Sequence, residues 1–187
     1  MIKSVKLELS GGEFEIVYGT DFSVTSDFLN HLVYEKDSVW HVMSDPCHGK
    51  YAKTVITIPC GYSFSNFQIN LTDGALRLCK TSCENIEFKV KSASAEVDTV
   101  TAQNLYISIS RADLRISLDA KNTNIDCGYG TVDLRFAQYK NGYSINSRCG
   151  MGNVTLNSSL LPKKFKSNNG NRKINVICGM GDVNINT

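Results

Sequence analysis

The chain predicts an all-β fold, a single-stranded right-handed parallel β-solenoid with an irregular β N-terminal region. Three observations lead there. One residue template recurs seven times along the 187 residues. Within each half of the template apolar and polar residues alternate, the period of a strand with one buried face. Between the halves the spacing changes to three, the parity breaks, and a small residue sits at the break. A flat strand cannot keep one face inward across such a step, so the chain turns a corner there, where Gly tolerates the backbone required.

The template is clearest in Cys127-Gly128-Tyr129-Gly130-Thr131-Val132-Asp133-Leu134, Cys149-Gly150-Met151-Gly152-Asn153-Val154-Thr155-Leu156 and Cys178-Gly179-Met180-Gly181-Asp182-Val183-Asn184-Ile185. With Val132 as anchor, the other anchors are Phe14, Leu76, Val97, Leu114, Val154 and Val183. The corner column reads Gly12, Gly74, Ala95, Ala112, Gly130, Gly152, Gly181. The column five before the anchor reads Leu9, Leu71, Ser92, Ile109, Cys127, Cys149, Cys178. From Leu76 onward the anchors lie 21, 17, 18, 22 and 29 residues apart, which suits one coil per repeat. A coil cannot bury its own apolar face, so stability must come from stacking. Parallel crossovers are overwhelmingly right-handed, which sets the expected hand.

The elements follow in order within one solenoid domain spanning 1–187. Residues 1–16 form a complete first rung. Residues 17–60 fit the template badly and contain short β-like pieces, Phe22-Ser23-Val24, His31-Leu32-Val33-Tyr34, Val39-Trp40-His41-Val42 and Val55-Ile56-Thr57-Ile58. They are expected to cap or flank the start, because an open solenoid end exposes unpaired backbone. Residues 66–187 carry the regular rungs. The position after the anchor reads Arg77, Asp98, Arg115, Asp133, an expected alternating charge ladder on an outer face. The long last interval holds an insertion, 158–173, which is basic and has no acid. Lys163, Lys164, Lys166, Arg172 and Lys173 form its candidate binding patch for an anionic partner, against the alternative of a solvated loop. The final rung ends at Ile185 with no helix or polar cap after it, so it is expected to be blunt or to pair with another molecule, a route to a homo-oligomer through the C-terminal rung.

Composition bounds the function classes. The net charge of +2 argues neither for nor against an acidic partner, and nucleic acid is not the expected one. No segment approaches the roughly 18 apolar residues of a membrane span. The N-terminus lacks an apolar signal core, so the chain is expected to be soluble and cytoplasmic by default. Seven cysteines are an odd number with spacings that suit neither a zinc ribbon nor a disulfide framework. Cys127, Cys149 and Cys178 are expected as a stacked core column of small hydrophobes. Cys79 and Cys83 flank a corner and could bond if oxidised; reduced thiols are the default.

Other chemistry is weaker. The outward acids Glu96, Asp98, Asp113, Asp126 and Asp133 are scattered among arginines, although Asp113 with Asp133, or Asp126 near Arg148, could form a catalytic groove. His31, His41, Cys47 and His48 could hold zinc, but surface histidines and a turn cysteine are the expectation. Trp40 with Tyr34 and Tyr51 could stack on a sugar, but they are expected to cover the solenoid flank. No catalytic residue, cofactor or metal is assigned.

The repeated small-x-Gly-x-Val-x-Leu/Ile units, the entry Val55-Ile56-Thr57-Ile58-Pro59-Cys60-Gly61-Tyr62 and the segment Gly11-Gly12-Glu13-Phe14-Glu15-Ile16 resemble a bacterial family of β-strand-repeat proteins. That family has no assigned function and carries the label "putative adhesin". The resemblance implies a right-handed β-solenoid, an association with the cell envelope, and no catalytic motif. The leading functional expectation is therefore a non-enzymatic, adhesin-like structural or interaction protein with a protein or glycan partner. The alternatives are a carbohydrate-active enzyme on a β-helix and a scaffold that self-assembles through solenoid ends.

Overall fold

A computed structural model describes residues 2–27, 31–44, 52–136 and 142–187. Its strands are β1 (Ser4–Leu9), β2 (Gly12–Gly19), β3 (Ser23–Ser26), β4 (His31–Lys36), β5 (Val39–Ser44), β6 (Ala52–Pro59) and β7 (Phe64–Phe136). They continue with β8 (Tyr143–Cys149), β9 (Asn153–Leu156), β10 (Ser159–Leu160), β11 (Lys164–Lys166), β12 (Arg172–Cys178) and β13 (Asp182–Asn186). All join one sheet wound into a solenoid-like stack, and no helix occurs among the described residues. β7 is a single strand path of 73 residues that bends through successive coils, with positive φ at Gly74 (109°) and Gly130 (114°).

The rungs stack in parallel and in register. Leu7 lies beside Ile69, Phe14 beside Leu76, Ile125 beside Val176, and Val132 beside Val183. Each inward column therefore repeats about every 4.8 Å along the axis. The columns are mainly apolar: Leu7, Phe14, Ile16, Ile69, Leu78, Phe88, Ile107, Val132 and Ile185 are all buried.

The order of rungs in space differs from their order in sequence at both ends. The first rung, β1 and β2, lies between β7 on one side and a rung made of β5 and β6 on the other. The last rung of the sequence, β12 and β13, lies between β7 and a rung made of β8 and β9. Two expectations are corrected. Residues 17–60 are not merely irregular, for they contain a full rung. The template misses it because Val42 to Thr54 spans 12 positions where the adjacent Leu7 to Phe14 spans 7, and because the anchor is the polar Thr54. The C-terminal rung is not a blunt edge either: Ile185 is buried and β13 has a partner strand on each side.

Antiparallel strands cover both true ends. β4 pairs with β5 and β3 with β6 at one end; β10 pairs with β9 and β11 with β8 at the other. The basic insertion is thus a cap. Under the first cap, Phe22 meets Trp40, Tyr62 and Phe64 at ring-centre distances of 4.7, 5.4 and 6.1 Å. Trp40 is buried there, so it belongs to the core.

One rung is slipped relative to the template. Asn85 Nδ2 donates to Asn66 Oδ1 at 3.2 Å, Asn104 Nδ2 to Asn85 Oδ1 at 2.8 Å, and Asn122 Nδ2 to Asn104 Oδ1 at 3.0 Å. Asn66 in turn donates to Ser4 Oγ at 3.2 Å. These steps, with Gln68 Nε2 donating to Glu87 Oε2 at 2.7 Å, put Asn85 beside Asn66 and Glu87 beside Gln68. Val90, and not Ser92, therefore follows Leu71 in the inward column; Val90 is buried and Ser92 exposed. Two extra residues are taken up at the Ser92-Ala93-Ser94 corner.

The corner column is where backbones approach most closely. Gly130 has φ of 114°, and a Cβ built on it would run into the carbonyl oxygen of Ala112 on the neighbouring rung. Gly61, with φ of 73°, has nothing within 4 Å of the same position. Gly61→Ala should cost about 1 kcal/mol from backbone strain alone. Gly130→Ala should cost roughly 3 kcal/mol or more, because strain adds to a clash with main chain that cannot move without its whole rung. Urea denaturation midpoints of the two variants test the ordering.

Candidate functional site

The best-formed concavity is a groove of about 670 Å³ on the face built by β2, β6, β9, β13 and the matching segments of β7. Its origin is the sequence of the columns. Ala75 stands opposite Glu13, so a methyl group takes the place of a long side chain. Ser94 and Ala95, at the slipped corner, keep the adjoining floor low. Around this hollow stand Glu13, Glu15, Lys53, Arg77, Glu96 and Asp113, with Arg115 and Asp133 at one side.

Many of these charges already have structural work. Lys53 Nζ is 3.5 Å from Glu15 Oε2, and Arg115 Nε is 3.6 Å from Asp133 Oδ2. Asp133 Oδ1 also accepts from Asn184 Nδ2 at 2.7 Å, and Asp113 Oδ1 accepts from the Thr131 backbone N–H at 3.0 Å. Of the expected charge ladder, the Arg115 to Asp133 step forms an ion pair; Arg77 and Asp98 make none among the described residues. The groove gathers Glu96, Asp113 and Asp133 but not Asp98 or Asp126. Asp126 does not meet Arg148, since Ile177 lies between them in register with both.

The basic residues of 158–173 are dispersed. Arg172 Nη1 is 2.6 Å from Asp119 Oδ1, so it ties the insertion back to β7. Lys163 Nζ donates to the Gly152 carbonyl oxygen over the end corner. Lys164 stands directly opposite Arg148, and Lys166 opposite Asn146. Lys173 lies in β12 between Asn122 and Ser144. The Arg148 position had no basic signature of its own in the sequence; only the antiparallel turn-back of β11 reveals it as part of the patch.

The cysteine column exists, in the spatial order Cys127, Cys178, Cys149. Cys127 and Cys178 are buried and Cys149 is half-buried. Burial pushes the Cys127 thiol up to about 11 and raises Cys178 still further, where its neighbours Cys149 and Cys127 add to the effect. Cys178 Sγ is directed at the Gly181 carbonyl oxygen, 2.8 Å away. These are protonated core thiols, the opposite of a reactive cysteine. Cys79 and Cys83 are both free; Cys83 Sγ lies 3.1 Å from the Phe64 carbonyl oxygen.

The histidines are separated in role. His41 stacks on Tyr34 with ring centres 4.6 Å apart. His31 Nε2 lies 3.3 Å from Thr54 Oγ1, and burial pushes its imidazole below the usual range. Cys47, His48 and Tyr51 lie outside the described residues. Among the described residues no group of three or more His, Cys, Asp or Glu is placed to hold a metal.

Stacked coils, glycine corners and capped ends define a β-solenoid repeat protein that presents flat polar faces. The chain belongs to the Toastrack family (DUF4097), whose model matches residues 4–186. It is similar in fold to the crystal structure of a "putative cell adhesion protein" from Clostridium sporogenes, with TM-score 0.50 and 13% identity over 99% of this chain and 92% of that one. A "putative adhesin" from Bacteroides fragilis aligns with TM-score 0.38 and 14% identity over 99% of this chain and 91% of that one. No curated protein matches.

The thiol column makes alkaline stability testable. A thiol whose pKa is raised in the folded state loses its proton first in the unfolded state, so folding stability falls as pH rises from 9 toward about 11. Denaturant midpoints should be level below pH 8 to 9 and then drop. Cys127→Ala, though less stable overall, should show a shallower drop across that window.

Proposed function

We propose that the protein is a non-enzymatic, adhesin-like interaction module of the cell envelope, built as a right-handed single-stranded coil. The hand follows from the strong preference of parallel crossovers. The observation that carries the functional reading is the way polar side chains on the outer faces are locked rung to rung. Asn66, Asn85, Asn104 and Asn122 form a chain of side-chain amide bonds on one face. Thr155, Asn184 and Asp133 form another on the second face, at 2.9 and 2.7 Å. Such faces are pre-organised, and little side-chain entropy remains to be lost on contact with a partner.

Two of the groove's acids support the same reading. A glycosidase needs one carboxyl free to donate a proton and another free to act as base or nucleophile. Here Asp133 is held by Arg115 and Asn184, and Asp113 by the Thr131 backbone. Their oxygens serve the stack. The name of the Clostridium sporogenes neighbour, "putative cell adhesion protein", agrees with a binding role. No helix among the described residues is long and apolar enough to cross a membrane.

The test is a glycan and cell-wall binding screen run alongside a hydrolysis and lyase assay on the same ligands. The expected result is saturable binding without turnover. Binding should weaken about tenfold in Arg77→Glu, which reverses a charge on the groove floor that has no ion-pair partner. Turnover of any panel glycan, lost in Asp113→Asn, would replace this reading with the enzymatic one.

A further inference from the structure

We infer that the β8–β11 end of the stack docks on an anionic lipid bilayer surface. This concerns a different face from the groove and stands or falls independently of what the groove binds. The first observation is an electrostatic cost with no internal compensation. β11 runs antiparallel to β8 so that Lys164 lies directly opposite Arg148. Like charges facing each other across a strand pair are destabilising. Neither residue makes an ion pair among the described residues, and Lys166 follows on the same outer side. The acid of that column, Asp126, is two rungs away behind Ile177.

Several other surface cations have an acid partner. Lys6 meets Glu8 at 3.1 Å, Lys89 meets Glu87 at 2.7 Å, and Arg172 meets Asp119 at 2.6 Å. The opposed pair at the end is therefore best matched by an external anion.

The second observation selects the kind of anion. Large apolar side chains are exposed around the same end. Ile177 is 61% exposed and stands next to Arg148 in register. Met180 and Met151, 54% and 77% exposed, project from successive glycine corners, where the Met151 N–H donates to the Gly179 carbonyl oxygen at 2.9 Å. Leu160, 67% exposed, lies on β10. Aliphatic and thioether groups beside lysines and an arginine fit the headgroup region of a bilayer, where apolar side chains enter and cations meet lipid phosphates.

The experiment is vesicle co-sedimentation with the full chain. One set of vesicles is pure phosphatidylcholine; the other is phosphatidylcholine and phosphatidylglycerol in equal parts. Binding is expected to the anionic vesicles only and to weaken steeply with salt. Lys164→Gln with Lys166→Gln should weaken it about thirtyfold.

Arg148→Glu separates this from misfolding. It turns the opposed pair into an attractive one, so the melting temperature should rise by about 1–3 °C while vesicle binding is lost. Arg148→Lys should keep both. Met151→Ser with Met180→Ser should reduce binding to anionic vesicles without changing the melting temperature. Equal binding to neutral vesicles, or unchanged binding in Arg148→Glu, overturns the inference. Binding to heparin or duplex DNA at the same salt with no binding to either vesicle overturns it in favour of a soluble polyanion.

Discussion

In-register parallel stacking is the constraint on which the rest depends. Each residue of one rung lies beside its counterpart on the next, about 4.8 Å away, so a side chain's neighbours are set by its column. An inward column can then be uniformly apolar, as Leu7, Ile69, Ile125 and Val176 show across their rungs. An outward column can be a chain of asparagines bonded amide to amide. A corner column must be small, because each corner main chain passes against the one before it, as the clash of a built Cβ at Gly74 with the Gly12 carbonyl oxygen shows. Core, ladder and corner are three expressions of one translation.

A translation has no natural end, and the protein ends it in the same way twice. The first and last rungs of the sequence are each one step inside the stack; the outermost rung follows the first rung in sequence at one end and precedes the last rung at the other. Buried polar residues take inward sites in both outermost rungs, as Thr81 and Thr123 do further inside. Thr54 takes an anchor site at one end and donates to Ser26 Oγ at 3.0 Å. Ser147 takes an inward site at the other and stands opposite Phe165 of the capping strand, whose ring packs against the core. A smaller residue in the end rung leaves room for an element that crosses it instead of stacking on it. Short antiparallel strands also limit the unpaired edge left to solvent.

The part of the fold legible in the sequence is the part that repeats. Period-two alternation, the corner residues and the cysteine column report local geometry that recurs, so each copy reinforces the others. Rung order is different in kind. Nothing in the Val183 repeat distinguishes a place beside Val132 from a place beyond Val154, because the template is nearly the same for either neighbour. The slip at Ser92 was hidden for a related reason: polar and small residues at a corner can be counted into either half of the coil. The groove depended on both, on Ala75 facing Glu13 and on the extra corner residues beside it. Asp113 and Asp133 could be named from the sequence, but their commitment to Arg115, Asn184 and the Thr131 backbone could not, since those contacts run between rungs.

The two caps also show how a repeat protein can be regular and still carry specific surfaces. Within the stack, some charges meet a complementary charge on the adjacent rung, as with Arg115 and Asp133 or Glu15 and Lys53. Capping strands differ because they meet the stack from one side only and run against it. At the β4 end the difference is used for packing: Tyr34 stacks on His41, and Trp40 beneath is sealed by Phe22. At the β11 end it places Lys164 against Arg148. Either residue alone would be an ordinary surface cation worth little to stability. Facing each other, they form a pair of positive charges held across two strands of the sheet.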